Sequence, residues 1–157
     1  MNQSYIVYAA PIALIFLGAV LFVPYVSSFP TVAKQLERSA GRETITLDGN
    51  TIHVSVADTL ESRARGLGGR EGLAPDEGML FIFPKDGDYA FWMKDMRFSI
   101  DILWLSVDGE VIYSIENLSP ATYPRSFVSQ RPARYVLELP TGYVEAHRVK
   151  EGDIVRL

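Results

Sequence analysis

The chain has 157 residues, 48% apolar and 22% charged, which predicts one ordinary globular domain and excludes collagenous, repeat and disordered proteins. Its formal net charge of -4 argues against a nucleic-acid partner, because it supplies no long-range attraction to a phosphate backbone. The sequence contains no cysteine, which excludes disulfide frameworks, thiolate nucleophiles and zinc sites built from cysteine.

The N-terminal segment is distinguished by its lack of charge, since the first formally charged side chain in the chain is Lys34. Residues 5–26 are apolar throughout except for two prolines and one glycine. As a helix this run would extend about 33 Å, slightly more than a hydrocarbon core of about 30 Å. We therefore predict that residues 1–26 form a single-pass transmembrane helix, a signal anchor, and that residues 27–41 form a tether.

Two features of this segment leave alternatives open. The small residues Val26, Ser27 and Ser28 would suit a signal peptidase, although no basic residue precedes the apolar run. The basic residues that follow it would place the rest of the chain in the cytoplasm by charge bias. These residues are Lys34, Arg38 and Arg42.

Residues 42–157 have the pattern of a β domain. Alternating residues at 43–47 and 51–57 around Asp48-Gly49-Asn50 predict one hairpin, and 100–107 with 110–116 around Asp108-Gly109 predict a second with a type I′ turn. Asp58 and Glu61 are predicted to cap a short helix that ends in glycines. Further strands are predicted at 78–83, 89–93, 134–139 and 153–157. Short strands with short turns fit a β-sandwich or a small barrel.

The second predicted hairpin places two carboxylates together. With a two-residue turn, Leu103 would face Ser114 and Asp101 would face Glu116, at about 5 Å between Cβ atoms. Such a pair would suit acid–base chemistry or a metal ion. The simpler interpretation is that an arginine holds Asp101 while Glu116 points to water. The candidate arginines are Arg70, Arg97 and Arg134.

A glycine-rich segment from 63 to 72 carries three arginines, Arg63, Arg65 and Arg70, that could bind a carboxylate or another anion. Pairing with surface carboxylates is the alternative. The glycine order does not fit a nucleotide cradle. The two histidines do not form H-E-x-x-H, and no serine lies in G-x-S-x-G, which argues against the corresponding hydrolases.

Residues 89–96 combine aromatic side chains with charge. On a strand, Trp92 and Lys94 would share one face, and Phe91 and Met93 would share the other. Trp92 beside a cation at a strand end would suit stacking on a sugar ring or a planar group. Core packing of Phe91 and Met93 is the alternative interpretation of this run.

Three motifs occur in order along the chain: RARGLGGREGLAPDEGMLFIF (63–83), FWMKDMRFSIDILWL (91–105) and PARYVLELPTG (132–142). Together they resemble the family called domain of unknown function 192. The resemblance implies a compact β-sandwich of jelly-roll character with little helix, and an extracytoplasmic domain behind an export or anchoring segment. The residues that match by motif are Arg65, Gly66, Leu67, Arg70, Gly78, Met79, Phe81, Trp92, Met93, Lys94, Asp101, Arg134, Glu138 and Gly142.

We predict a membrane-anchored, non-enzymatic binding module for an anionic or carbohydrate-like ligand of the bacterial envelope, without cofactor or metal. One alternative is a scaffold that docks a membrane partner protein. Another is an enzyme that uses Asp101 with Glu116 or Glu138 as acid and base. The predicted ligand-binding residues are Arg65, Arg70, Trp92, Lys94, Asp101, Arg134 and Glu138.

Overall fold

The computed structural model describes residues 42–157. The predicted anchor at 1–26 and the tether at 27–41 lie outside the described residues and stay predictions. Within the described part of the chain, no helix is both long enough and apolar enough to cross a membrane.

The described residues are mainly β, as predicted. The strands are β1 (Arg42–Leu47), β2 (Asn50–Ala57), β3 (Glu77–Gly87), β4 (Phe91–Trp92), β5 (Ile100–Leu105), β6 (Val111–Leu118), β7 (Ser126–Phe127), β8 (Ala133–Pro140) and β9 (Val155–Arg156). The two short helices are α1 (Leu60–Arg65) and α2 (Tyr143–His147), and a 3-10 turn covers Pro120–Thr122. The α2 helix was not predicted.

Seven strands form one sheet in the order β6-β5-β8-β3-β2-β1-β9, while β4 and β7 form a separate pair. Every neighbouring pair in the large sheet is antiparallel except β2 and β3, whose connection contains α1. The sheet curls until its ends meet: the Val111 N–H donates to the Asp153 carbonyl at 2.8 Å, and the Val155 N–H donates to the Gly109 carbonyl at 2.9 Å. The large sheet is therefore a half-barrel.

This architecture differs from the jelly-roll sandwich that the family resemblance implies. A sandwich divides its strands between two packed antiparallel sheets, whereas here β8 lies between β3 and β5 in one mixed sheet. The strand pattern alone is the same for a sandwich and for a small barrel. The barrel alternative is the closer description, because the curl brings the edge strands together.

The central strands are buried on both faces, and all six residues of β5 are buried. One face contributes Leu80, Leu103 and Leu137 to a cluster that also includes Val111 and Val155 from the two ends of the sheet, so the curl encloses it. The outer face carries a second cluster, which is covered by the β4–β7 pair and the loops. This outer cluster includes Met79, Phe81, Phe91, Met93, Ile102, Trp104 and Val136.

Both predicted hairpins form, with different turns. Asp48 and Gly49 have φ of 48° and 78°, which fits the two-residue type I′ turn. In the second hairpin only Gly109 has positive φ, at 81°, and the Ser106 N–H donates to the Glu110 carbonyl at 2.9 Å. The type I′ prediction for Asp108-Gly109 is therefore wrong, because a three-residue loop with a glycine bulge closes this hairpin.

Helix α1 is capped one residue later than predicted. The Thr59 side chain accepts from the Ser62 N–H at 3.0 Å, and the Thr59 N–H donates to the Ser62 hydroxyl at 3.0 Å. This reciprocal pair replaces the predicted box of Asp58 and Glu61. The helix ends at Gly66, whose φ is 52°.

Candidate functional site

Asp101 does not face Glu116. The register Leu103↔Ser114 is as predicted, but an irregularity between Ile100 and Ile102 shifts the next pair to Ile100↔Leu118. Asp101 is fully buried and accepts three backbone hydrogen bonds instead of an arginine. The donors are the N–H groups of Asn117 at 2.8 Å, Gly142 at 3.2 Å and Val144 at 2.9 Å.

Asp101 does not pair with Glu138 either. In the β5–β8 ladder, Asp101 lies opposite Leu139, and Ile102 lies opposite Glu138. Successive residues of a strand point to opposite faces, so the two carboxylates lie on opposite faces of the sheet. The predicted acid–base pairs of Asp101 with Glu116 or Glu138 are therefore wrong. Asp101 instead joins β6 to the start of α2.

A cleft of about 530 Å³ opens on the outer face of the sheet, between the end of α1, strand β3 and the segment around β4. Its size is within the usual range for small-molecule sites. Four of the predicted ligand-binding residues line it: Arg65, Trp92, Lys94 and Glu138.

The remaining predicted residues lie elsewhere. Arg70 is not in the lining, although its positive charge acts on Glu138. Arg134 forms an ion pair with Asp86, with 2.8 Å between Nε and Oδ1. Asp101 and Arg134 are therefore not part of this site.

Aromatic side chains form the walls of the cleft. The Phe83 and Tyr89 rings stack with centroids 3.5 Å apart, and Phe91 packs edge-on against Phe81 at 4.8 Å. Trp92 is 55% exposed and touches Tyr123 edge-on at a centroid distance of 6.2 Å. The cleft thus combines a fixed aromatic wall with one accessible indole.

The alternation predicted for β4 is confirmed. Phe91 and Met93 are buried, whereas Trp92 and Lys94 are exposed. Phe91 and Met93 therefore pack into the outer cluster, as the core-packing interpretation predicted, while Trp92 and Lys94 line the cleft. Stacking of Trp92 on a ligand stays a prediction.

The cations around the cleft differ in whether other groups of the protein already bind them. Arg63 donates to the Ile82 carbonyl at 2.8 Å and lies over the Phe83 ring, so it supports the wall. Arg65 pairs with Glu61 at 2.7 Å on the surface. Lys94 is exposed, and no carboxylate of the described residues forms an ion pair with it.

Glu138 lies at the inner end of the cleft, only 5% exposed. Its Oε2 atom has no hydrogen-bond partner within residues 42–157. Burial raises the pKa of this carboxyl to about 8, with the Arg70 charge acting in the opposite direction. At neutral pH the side chain is therefore mostly protonated and can donate a hydrogen bond.

Phe83, Tyr89 and Asp95 also line the cleft and were not among the predicted ligand-binding residues. Phe83 and Tyr89 stack on each other near the end of β3. The polar sequence of 84–88 predicted a loop here, whereas β3 continues to Gly87. Asp95 has φ of 57°, and its carbonyl accepts from the Gly69 N–H at 3.0 Å. This contact joins the glycine-rich segment to the β4 region, which no local pattern reveals.

Residues 43–157 match the sequence pattern of DUF192, described as Uncharacterized ACR. The chain belongs to the DUF192 family. Among curated relatives, this DUF192 chain is 33% identical to the UPF0127 protein PF1050 of Pyrococcus furiosus over 65% of its own length and 84% of the relative. It is 30% identical to a UPF0127 protein of Thermococcus gammatolerans over 66% of its own length, and the match spans less than two thirds of that relative, 65%.

Two solved structures share the fold of this DUF192 chain. One is a protein of unknown function from Novosphingobium aromaticivorans, with a TM-score of 0.70, 26% identity, and coverage of 74% of this chain and 85% of the other. The other, from Sinorhizobium meliloti 1021, is named as a candidate transcription regulator. It has a TM-score of 0.69, 33% identity, and coverage of 73% of this chain and 92% of the other. Within residues 42–157 of the DUF192 chain, no group of three metal-ligating side chains is placed to hold a metal ion.

Proposed function

We propose that the β domain is a non-enzymatic binding module whose cleft takes an anionic or carbohydrate-like ligand. The observation that supports it is the convergence of Trp92, Lys94 and Glu138 on one cleft. These three residues offer a stacking face, a positive charge and a buried hydrogen-bonding group. The combination of mostly apolar walls with a few polar groups is typical of small-molecule sites.

The accessible indole favours a ring-shaped ligand. Trp92 is held against Tyr123 on one side while more than half of its surface stays exposed. A flat apolar face of this kind stacks on the C–H face of a sugar or on a planar group. Lys94, two residues further along, would attract a carboxylate or a phosphate at the cleft mouth.

Localisation is part of the proposal. We place the module at the membrane, on its extracytoplasmic side, held by residues 5–26. The support is the charge-free run in the sequence, whose length suits one crossing of the membrane.

In cell fractionation, the full-length chain should stay with membranes after an alkaline wash. Leu14→Arg with Leu17→Arg should release it, because arginine near the centre of a span costs about 2.5–3.5 kcal/mol per residue. Intact wild-type chain in the soluble fraction without detergent would contradict the anchor.

A second candidate is a scaffold that docks a membrane partner protein. The observation that favours it is the presence of exposed apolar side chains near the cleft mouth, Trp92 and Tyr123. This candidate predicts that Trp92→Ala abolishes partner capture in crosslinked membranes without changing small-molecule binding. The binding-module proposal predicts the reverse.

The binding proposal is tested by thermal shift with D-glucuronate, methyl β-D-glucopyranoside and envelope glycan fragments. At least one should raise the unfolding temperature of the wild type, because a ligand that binds only the native state stabilises it. Trp92→Ala should remove this rise. Lys94→Gln should weaken the response to glucuronate, whereas Lys150→Gln, an exposed lysine outside the cleft, should not. No response to any of these compounds would overturn the proposal.

A further inference from the structure

Glu138 occupies an unusual position for a carboxyl group. It lies on β8 in the middle of the half-barrel, between Met79 of β3 and Ile102 of β5. Both neighbours are buried apolar residues of the outer cluster. Nothing in the packing of these strands requires a carboxyl at this point, since an apolar side chain would complete the cluster.

The unpartnered oxygen points to a ligand contact. Buried polar groups in folded proteins are hydrogen-bonded in the great majority of cases, and leaving one unsatisfied costs about 1–3 kcal/mol. Glu138 has such an atom, Oε2, and it also lines the cleft. A ligand in the cleft is therefore the natural source of the missing hydrogen bond.

We propose that the neutral carboxyl of Glu138 donates a hydrogen bond to an acceptor oxygen of the bound ligand. The inference rests on the proposed binding function and narrows its ligand class. The ligand would carry a hydroxyl, carbonyl or carboxylate oxygen at the inner end, a ring against Trp92, and an anionic group near Lys94. Sugar acids have all three features, whereas amines lack the inner acceptor and meet a cationic mouth.

Burial, together with a bound anion, supports the neutral form of Glu138 in the bound state. Burial raises the pKa of Glu138 to about 8, and an anionic ligand beside it would favour the protonated carboxyl further. Of the surrounding groups, the positive charge of Arg70 acts in the opposite direction, and the Asp95 carboxylate also lines the cleft. The other titratable groups that line the cleft are Arg63, Arg65, Tyr89 and Lys94.

The experiment measures D-glucuronate affinity by calorimetry or NMR at about pH 6 and about pH 9. Wild-type affinity should fall about tenfold at the higher pH, because a group with a pKa of about 8 is then about 90% ionised. Glu138→Gln should bind at both pH values with little change, since the amide still donates. Glu138→Leu should bind at least about tenfold more weakly at pH 6. Circular dichroism would establish that both variants are folded.

The outcomes separate the two proposals. Benzylamine should not bind the wild type. If it does bind, more tightly at pH 9 than at pH 6, and Glu138→Gln does not bind it, then the ionised Glu138 carboxylate binds amines and the donor role is wrong. Glucuronate binding that is equal in the wild type, Gln and Leu variants at both pH values would also overturn the donor role, although the binding function would stand. If glucuronate, the neutral glucoside and the envelope glycan fragments all fail to bind the wild type, both proposals fail.

Discussion

Two buried carboxyl groups on neighbouring strands illustrate how surroundings decide a residue's role. Asp101 accepts hydrogen bonds from three backbone N–H groups, so its acceptors are satisfied within the fold. Glu138 has an unpartnered Oε2 and faces a cleft. The first carboxyl holds two elements together, and the second is available to a ligand.

Replacement of the structural carboxylate should destabilise the domain strongly. Asp101→Asn presents an NH₂ group where N–H donors converge, so at least one donor loses its acceptor, and we expect a loss of about 2–3 kcal/mol in chemical denaturation. Asp153→Asn is the matched control, because Asp153 accepts one exposed N–H, that of Lys150 at 2.8 Å. It should cost less than about 1 kcal/mol. Similar losses in the two variants would contradict the structural role of Asp101.

The raised pKa of Glu138 also predicts a pH dependence of stability. The pKa of Glu138 is about 8 in the folded protein against an ordinary value of 4.5, so the native state binds the extra proton between these values. The contribution of Glu138 is complete below about pH 4.5 and is lost as the pH rises towards 8. Glu138→Gln should abolish this loss.

Urea denaturation between about pH 5 and about pH 8 would measure the effect. Other carboxyl groups titrate equally in both proteins, so the difference between wild type and Glu138→Gln isolates the one group. The variant should gain on the wild type as pH rises, by up to about 1.4 kcal/mol per pH unit. A difference that stays constant over this range would show that Glu138 has an ordinary pKa.

Part of the site could be predicted at the level of residues. Strand alternation correctly placed Trp92 and Lys94 on the exposed face and Phe91 and Met93 on the buried face, because burial of one strand face is enough to fix which residues alternate. Glu138 was selected only through the family motif. Its neighbours at the cleft come from distant parts of the chain, so no local pattern could show that its carboxyl is buried.

Among the elements, the β5–β6 hairpin shows which parts of a strand register local sequence cannot predict. Its middle register, Leu103↔Ser114, agrees with the prediction because the irregularity between Trp104 and Leu105 offsets the extra residue of the three-residue loop. The irregularities at both ends were not predicted, since one accompanies the contact of Asp101 with Asn117 and the other the approach of Gly109 to Val155. Contacts with other elements decide both ends of the hairpin.

The approach of Gly109 to β9 gives a prediction at the same scale. A Cβ atom at Gly109 would lie 2.2 Å from the Val155 carbonyl oxygen, and φ there is 81°. Gly109→Ala should therefore separate the two ends of the curled sheet and cost more than about 2 kcal/mol. Gly49→Ala shares the positive φ, 78°, but meets no atom within 4 Å, so about 1–2 kcal/mol is expected. Equal losses in thermal or urea unfolding would show that the contact does not hold the sheet closed.

For the whole molecule, the composition predicted one domain and the strand pattern predicted that it is β, but neither predicted how the sheet closes. The three central strands β3, β5 and β8 are buried on both faces, so alternation does not identify which face belongs to which layer. Pairing over long sequence distance then decides between sandwich and barrel. The insertion of β8 between β3 and β5 creates the half-barrel and also brings Glu138 beneath the residues around β4.

The charge of the whole molecule opposes the anionic ligand that the cleft would attract. The formal net charge is -4, so recruitment of glucuronate depends on the local cations Lys94 and Arg65. Lys94→Gln should weaken glucuronate binding about two- to fivefold at low salt, because one exposed ion pair contributes a free energy of that size.

Arg65→Gln should have a smaller effect because Glu61 already pairs with Arg65. Glu61→Gln should strengthen glucuronate binding by freeing that arginine. At about 0.5 M salt these differences should shrink, since exposed charges are screened over a few ångströms. If the neutral glucoside responds to these substitutions as glucuronate does, the cations shape the cleft without attracting the anion.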